Sequence, residues 1–155
     1  MTTIHLQTLI PAPIQTTFNL ALNIDLHQTS MQQTNEKAIA GTTSGQIQLN
    51  ETVTWQATHF GIRQTLTVKI TQLTAPTYFC DEMTKGAFKS MRHEHHFDPQ
   101  PNNKTLMTDK FQYQVPYGVI GKIFNHLFLK KYMTRLLIQR NNVVKQEALK
   151  VSSTE

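Results

Sequence analysis

From Gly118 to Lys150 the chain carries no proline, and its apolar residues recur at helical spacing. This segment reads as one long C-terminal helical stretch. A helix with an apolar stripe has to bury that stripe, and most of the chain before it reads as strands. The fold class is therefore α+β, with an antiparallel sheet curled around the C-terminal helix. The stripe is not single, however. Ile120, Ile123, Phe124 and Leu127 share one face, whereas Leu129, Tyr132, Met133, Leu136, Leu137, Val143 and Val144 share another, roughly half a turn away. One straight helix cannot bury both, so the segment either bends near Phe128–Leu129 or its first turns contact something different.

Upstream, Thr2–Ile10 alternates as a first strand, and Pro11-Ala12-Pro13 ends it. Proline suits a helix start because its missing N–H would have no partner there. A short helix follows over Ile14–Leu22, and a second over Asn23–Met31 with Asp25 as its cap. Glu36–Ala40 is a brief strand and Gly41–Gly45 a turn. Alternation then predicts strands over Glu51–Phe60, Gln64–Leu73, Thr77–Met83, Gly86–Phe97 and Thr105–Val115, with the turn-rich Asp98–Lys104 between the last two. The count is about seven strands, two short helices after the first strand, and one long C-terminal helix.

The 155 residues suit one domain, residues 1–150, with 151–155 a polar tail that frays. No apolar run is long enough to span a membrane, and the N-terminus lacks a signal-peptide pattern. Cys80 is the only cysteine, which points to a reduced, cytoplasmic setting and a structural thiol. The net charge is +5, and it is uneven: Lys122 to Lys150 contains seven basic residues and one acid, Glu147. No zinc-finger spacing, RNP-type strand or phosphate loop accompanies that charge, so nucleic acid is not the expected partner. A solvated helix face explains it, and contact with an anionic membrane surface is the sharper alternative. Tyr117–Phe128 (YGVIGKIFNHLF) reads as packing over the interior; a lid or an interfacial contact beside Lys130 and Lys131 is the other reading.

The candidate site comes from strand parity. In GAFKSMRHEHHF, period two sends Lys89, Met91, His93, His95 and Phe97 to one face, and Phe88, Ser90, Arg92, Glu94 and His96 to the other. The same parity turns Trp55, His59, Phe79, Asp81, Met83, Asp109, Phe111 and Tyr113 inward. An apolar wall with a few imidazoles and carboxylates suits a ligand pocket. Asp81 and Asp109, buried, need partners and would hold the histidines. Four readings stand. The cluster orients a ligand; or a His–Asp pair does acid/base work; or His59, His93 and His95 with a carboxylate bind a metal; or it is a satisfied polar network with no ligand. His27 and His126 lie on helices and read as surface or packing residues.

Several motifs then carry a resemblance. The order Pro11-Ala12-Pro13, Trp55…His59-Phe60-Gly61, Phe79-x-Asp81-Glu82, Gly86-x-Phe88, His93-Glu94-His95, Thr105-x-Met107-x-Asp109 and Pro116-x-Gly118-x-x-Gly121 resembles the START-like superfamily. Within it, the nearest match is the bacterial polyketide-cyclase/dehydrase-like (SRPBCC) branch. The resemblance spans roughly Ile4 to Asn142 and implies a helix-grip fold with an apolar cavity. It implies a small hydrophobic ligand: lipid, sterol, quinone, polyketide or hormone. Met91 departs from the larger aromatic expected before the histidines. Fold does not fix function. The reading is a protein binding a small hydrophobic molecule among Trp55, His59, Phe79, Met83, Met91, Phe97, Phe111 and Tyr113, with no cofactor. A non-redox cyclase, dehydratase or isomerase is the alternative, with His93 or His95 as base and Asp81 or Asp109 as orienter. The third reading is a lipid or quinone carrier docking on anionic membranes through its basic C-terminal helix.

Overall fold

In the computed structural model, which describes residues 1–154, the alternating segments become seven strands. They are β1 (Thr2–Ile10), β2 (Lys37–Gly41), β3 (Thr52–His59), β4 (Ile62–Thr74), β5 (Tyr78–Lys85), β6 (Ser90–Gln100) and β7 (Lys104–Gln114). Every neighbouring pair is antiparallel, in the order β1-β7-β6-β5-β4-β3-β2. Two short helices, α1 (Ile14–Ala21) and α2 (Ile24–Ser30), follow β1, with a 3-10 turn at Gln32–Thr34. The chain closes on α3 (Gly118–Phe124), a π-helical turn at Asn125–Leu129, and α4 (Lys130–Ser152). The sheet and α4 enclose the interior, and α1 plugs one end: Phe18 meets Phe79 and Phe97 edge-on at 5.8 and 5.3 Å. Such aromatic pairs add to the area that they bury.

Local chemistry explains most of these elements and corrects several expectations. Asn23, not Asp25, caps α2, accepting from the Leu26 N–H at 2.8 Å. Asp25 instead accepts from the Gly45 N–H at 2.9 Å, tying α2 to the loop before β3. Gly41 has φ +75°, and a Cβ there would overlap the Thr52 carbonyl oxygen, so only glycine fits at the β2 end. Register shifts between Ile70 and Gln72 in β4, and between Ala38 and Ala40 in β2, are bulges that bend the sheet.

The stretch Gly86–Phe97 is not all strand. β6 begins at Ser90, so parity does not govern the preceding loop, and Phe88 turns inward to within 5.1 Å of the Tyr113 ring. At its other end β6 runs on through Gln100, which pairs with Lys104. The turn shrinks to Pro101–Asn103, with Asn102 and Asn103 in the left-handed region that Asn tolerates. The polar tail is likewise shorter than expected: α4 continues to Ser152, whose hydroxyl reaches the Pro11 carbonyl at 3.1 Å.

The two stripes of the C-terminal segment are reconciled by the π-helical turn. A π turn holds an extra residue, so it rotates the face of everything beyond it. The second stripe is the buried one, centred on Leu136, Leu137 and Val144. The first stripe does not pack: Ile120, Ile123 and Leu127 are exposed. Among the described residues, no helix is long and apolar enough to cross a membrane.

Candidate functional site

Between the sheet and the helices lies a cavity of about 720 Å³. Its walls are mainly apolar, from Trp55, Val68, Ile70, Met91, Phe111 and Leu136 among others. Polar groups enter at three stations. His27 Nε2 lies 2.7 Å from a carboxylate oxygen of the buried Glu36, with the His27 ring packed on Trp55 at 4.4 Å. His59 Nδ1 lies 2.7 Å from the Tyr132 hydroxyl. The third and largest station is built by four residues on three adjacent strands together with α4.

Sheet register makes that station. Asp81 on β5 pairs with His93 on β6, and His95 on β6 pairs with Asp109 on β7. All four side chains share the inward face. His93 Nε2 bonds Asp109 Oδ1 at 2.9 Å, and His95 Nε2 bonds Asp81 Oδ2 at 3.0 Å. His95 Nδ1 sits 3.1 Å from the same Asp109 oxygen, but the angle is too poor for a hydrogen bond and the atom has no other partner. From α4, Asn141 Nδ2 donates to Asp109 Oδ2 at 2.6 Å, and Arg140 Nη1 lies 3.4 Å from Asp109 Oδ1. Arg140 also reaches the Asn141 side chain and the Ala21 carbonyl. The two imidazole rings meet at 3.8 Å, tilted by 36°, and His95 lies flat on Phe79 at 4.1 Å.

The electrostatics follow from burial and pairing. Asp109 is fully buried, which raises its pKa, yet the hydrogen bond from His93, the close approach of His95 and the Arg140 charge outweigh burial and hold the carboxyl well below its usual range. Asp81 is lowered in the same way: burial opposes ionisation, while the His95 hydrogen bond and the charges of His93, His95 and Arg140 prevail. His93 is pushed down to about 4, first by burial and then by the His95 charge, against the pull of Asp109. At neutral pH the His93 ring is therefore neutral. Its Nε2–H donates to Asp109, and Nδ1, with no protein partner among the described residues, is left as an acceptor in the cavity lining. Burial also lowers His59.

Not all sequence candidates share this place. Trp55, His59, Phe79, Asp81, Met91, His93, His95 and Phe111 line the cavity. Met83, Phe97 and Tyr113 do not. Met83 packs beside Gly86 and Leu66, Phe97 lies under Phe18, and the Tyr113 hydroxyl is turned away to the Asn125 side chain. Asp109 stands behind the histidines rather than in the wall. The trio His59, His93 and His95 is not assembled, because His59 is committed to Tyr132 on another wall. Asp81, His93 and His95 do place ligating atoms within 4.8 Å of one another. An ion there would have to break the His95–Asp81 bond next to a guanidinium, so the donor set fits a hydrogen-bond network better.

Arg140, Asn141, Glu36 and Phe88 are site residues that sequence reading passed over. Arg140 had a legible signal: it falls four residues after Leu136 and four before Val144, on the buried stripe. A charge on an apolar stripe is a buried charge that needs a partner.

No protein-family model and no curated protein sequence matches the chain. Solved structures do. A protein of Thermus thermophilus superposes with a TM-score of 0.79 at 14% identity, covering 97% of this chain and 99% of its own. A START superfamily protein from Mycobacterium smegmatis gives 0.73 at 10% identity, over 96% and 98%. The Zhui aromatase/cyclase from Streptomyces sp. R1128 gives 0.73 at 13% identity, over 95% and 93%. The chain thus has the START-like, helix-grip fold. At these identities the likeness concerns the fold alone.

Proposed function

We propose that this protein binds a neutral, hydroxyl-bearing hydrophobic molecule in its cavity. The observation that carries the reading is the open Nδ1 of His93, an acceptor in a cluster whose other polar groups are turned to one another. Asp81 and Asp109 face one guanidinium, Arg140, and His95 turns a ring nitrogen towards each carboxylate. No cation is left for a ligand carboxylate, because the Arg140 guanidinium is already spread over Asp109, Asn141 and Ala21. An acidic head group would meet two carboxylates, whereas a hydroxyl donates to His93 at no charge cost. The volume suits a ligand of several fused rings or a folded chain. The stations at His27–Glu36 and His59–Tyr132 favour a molecule oxygenated at more than one position.

A cyclase or dehydratase remains the second reading, since one structural neighbour is an aromatase/cyclase. The same histidine weighs against it. A ring lowered to about 4 is a weak base at neutral pH, and general bases work best near the operating pH.

Fluorescence titration with 1-hydroxypyrene, 1-methoxypyrene and 1-pyrenecarboxylate tests the proposal. The phenol should bind about tenfold or more tightly than either analogue, because a desolvated acceptor without its donor costs about 1–3 kcal/mol. His93→Phe should erase that preference. Equal affinities, or a preference for the carboxylate, would contradict it.

A further inference from the structure

Around the cavity mouth the protein exposes an unusual amount of apolar surface. Tyr117 is 84% and Ile120 78% exposed, and Val119, Ile123, Leu127 and Phe128 are also in solvent. The tip of the β3–β4 hairpin adds Phe60 and Ile62, both exposed. These form one patch, because Phe60 meets Phe124 at 5.5 Å and Phe124 meets Phe128 at 5.9 Å. Phe60, Ile62, Tyr117 and Phe124 also line the cavity, so the patch rings its entrance.

Two further observations say what covers it. The first is charge. Both chain stretches that build the patch lack acids: no Asp or Glu occurs between Glu51 and Asp81, or between Asp109 and Glu147. Arg63, Lys122, Lys130 and Lys131 are exposed in them, and among the described residues none forms an ion pair. The second is backbone conformation. Six non-glycine residues have positive φ, and four are Asn, which accepts it readily. The other two are Phe60 (φ 51°) and Tyr117 (φ 67°), bulky aromatics held in a costly conformation at the two turns of the patch; Tyr117 is almost wholly in solvent, and Phe60, though it touches Phe124 and Tyr132, keeps about half of its surface there.

We infer that this rim is a docking surface for an anionic lipid bilayer, with the hairpin tip and α3 inserting at the head-group boundary and the lysines meeting lipid phosphates. Aromatic and aliphatic side chains flanked by Lys and Arg are the composition of interfacial segments. A second copy of the chain would bring like charges together, which disfavours a face-to-face dimer. Docking in this pose opens the cavity mouth to the acyl region. Of the basic residues of α4, only Lys130 and Lys131 in its first turn belong to the contact, and the surface does not depend on what the cavity holds.

Co-sedimentation with phosphatidylcholine vesicles, with and without phosphatidylserine, tests this. The wild-type chain should pellet with the anionic vesicles at low salt, and high salt should weaken the binding. Ile120→Glu with Leu127→Glu should lower partitioning about tenfold or more with an unchanged melting curve, since both side chains are exposed. Lys130→Glu with Lys131→Glu, on different atoms, should do the same for anionic vesicles. Absence of wild-type pelleting, equal binding to neutral vesicles, or variants that pellet like wild type would overturn the inference. So would a stable dimer in solution that Ile120→Glu and Leu127→Glu split.

Discussion

Arg140→Met keeps an unbranched apolar stem and removes the charge from the centre of the cluster. Three contacts go: to Asp109 at 3.4 Å, to Asn141 at 3.0 Å and to the Ala21 carbonyl at 3.4 Å. The cost lies less in those bonds than in leaving a fully buried Asp109 with one cation fewer. Breaking a buried charge pair from one side costs about 3–5 kcal/mol. Asp109 keeps its bonds to Asn141 and His93, so we place the loss at the lower end, about 3 kcal/mol. With a urea slope of about 2 kcal/mol/M, the unfolding midpoint should fall by about 1.5 M at pH 7. Trp55, the one tryptophan and part of the cavity wall, reports the transition.

The pH dependence follows from the depressed Asp109 carboxyl. A carboxyl lowered in the folded state contributes stability fully present above its unfolded pKa, near ~3.9, and lost as pH falls through the folded value. Removing Arg140 weakens that depression. The gap between wild type and variant should therefore be widest at neutral pH and narrow below about pH 4. In an Asp109→Asn background the same substitution should cost under about 1 kcal/mol, because the charge it compensates has gone. A midpoint shift below about 0.5 M at pH 7, or an equal shift in both backgrounds, would refute the claim that Arg140 balances Asp109.

Three smaller tests probe the surroundings. Tyr132→Phe strips His59 of its hydroxyl partner and should cost about 1 kcal/mol in thermal or urea unfolding; no loss would mean that water replaces it freely. Gly121→Ala should destabilise by about 1–3 kcal/mol, because a Cβ there would overlap the Pro116 carbonyl and push α3 off its seat; an unchanged melting temperature would contradict that packing. Cys80 is fully buried and burial raises its thiol pKa, so Ellman's reagent should label it only on unfolding; rapid labelling of the native protein would show an access route.

Strand parity made the inward face legible, because alternation is a property of the backbone itself. It placed Trp55, His93 and His95 on the sheet face that turns to the helices. Parity says nothing about depth along a strand, which is why Met83, Phe97 and Tyr113, on that face, fall outside the cavity: α1 covers Phe97, and Tyr113 reaches Asn125 instead. Nor does it apply where a strand has not yet begun, and so Phe88 went to the wrong side. Arg140 was hidden by the general rule that charges face water. The exposed stripe of α3 was visible as periodicity, but its lack of a partner was not, since a sequence shows that a face is apolar without showing what meets it. The π-helical turn that separates the two faces leaves only the stripe shift as its trace.

Ligand choice turns on His93 being neutral, protonated on Nε2 and open on Nδ1. Long-range proton–nitrogen NMR of the histidine rings reads this directly. At pH 7 His93 should show a protonated Nε2 and an unprotonated Nδ1, and saturating 1-hydroxypyrene should move the Nδ1 signal while leaving Nε2 on Asp109. A doubly protonated His93 at pH 7, the opposite tautomer, or an Nδ1 signal indifferent to bound phenol would contradict it.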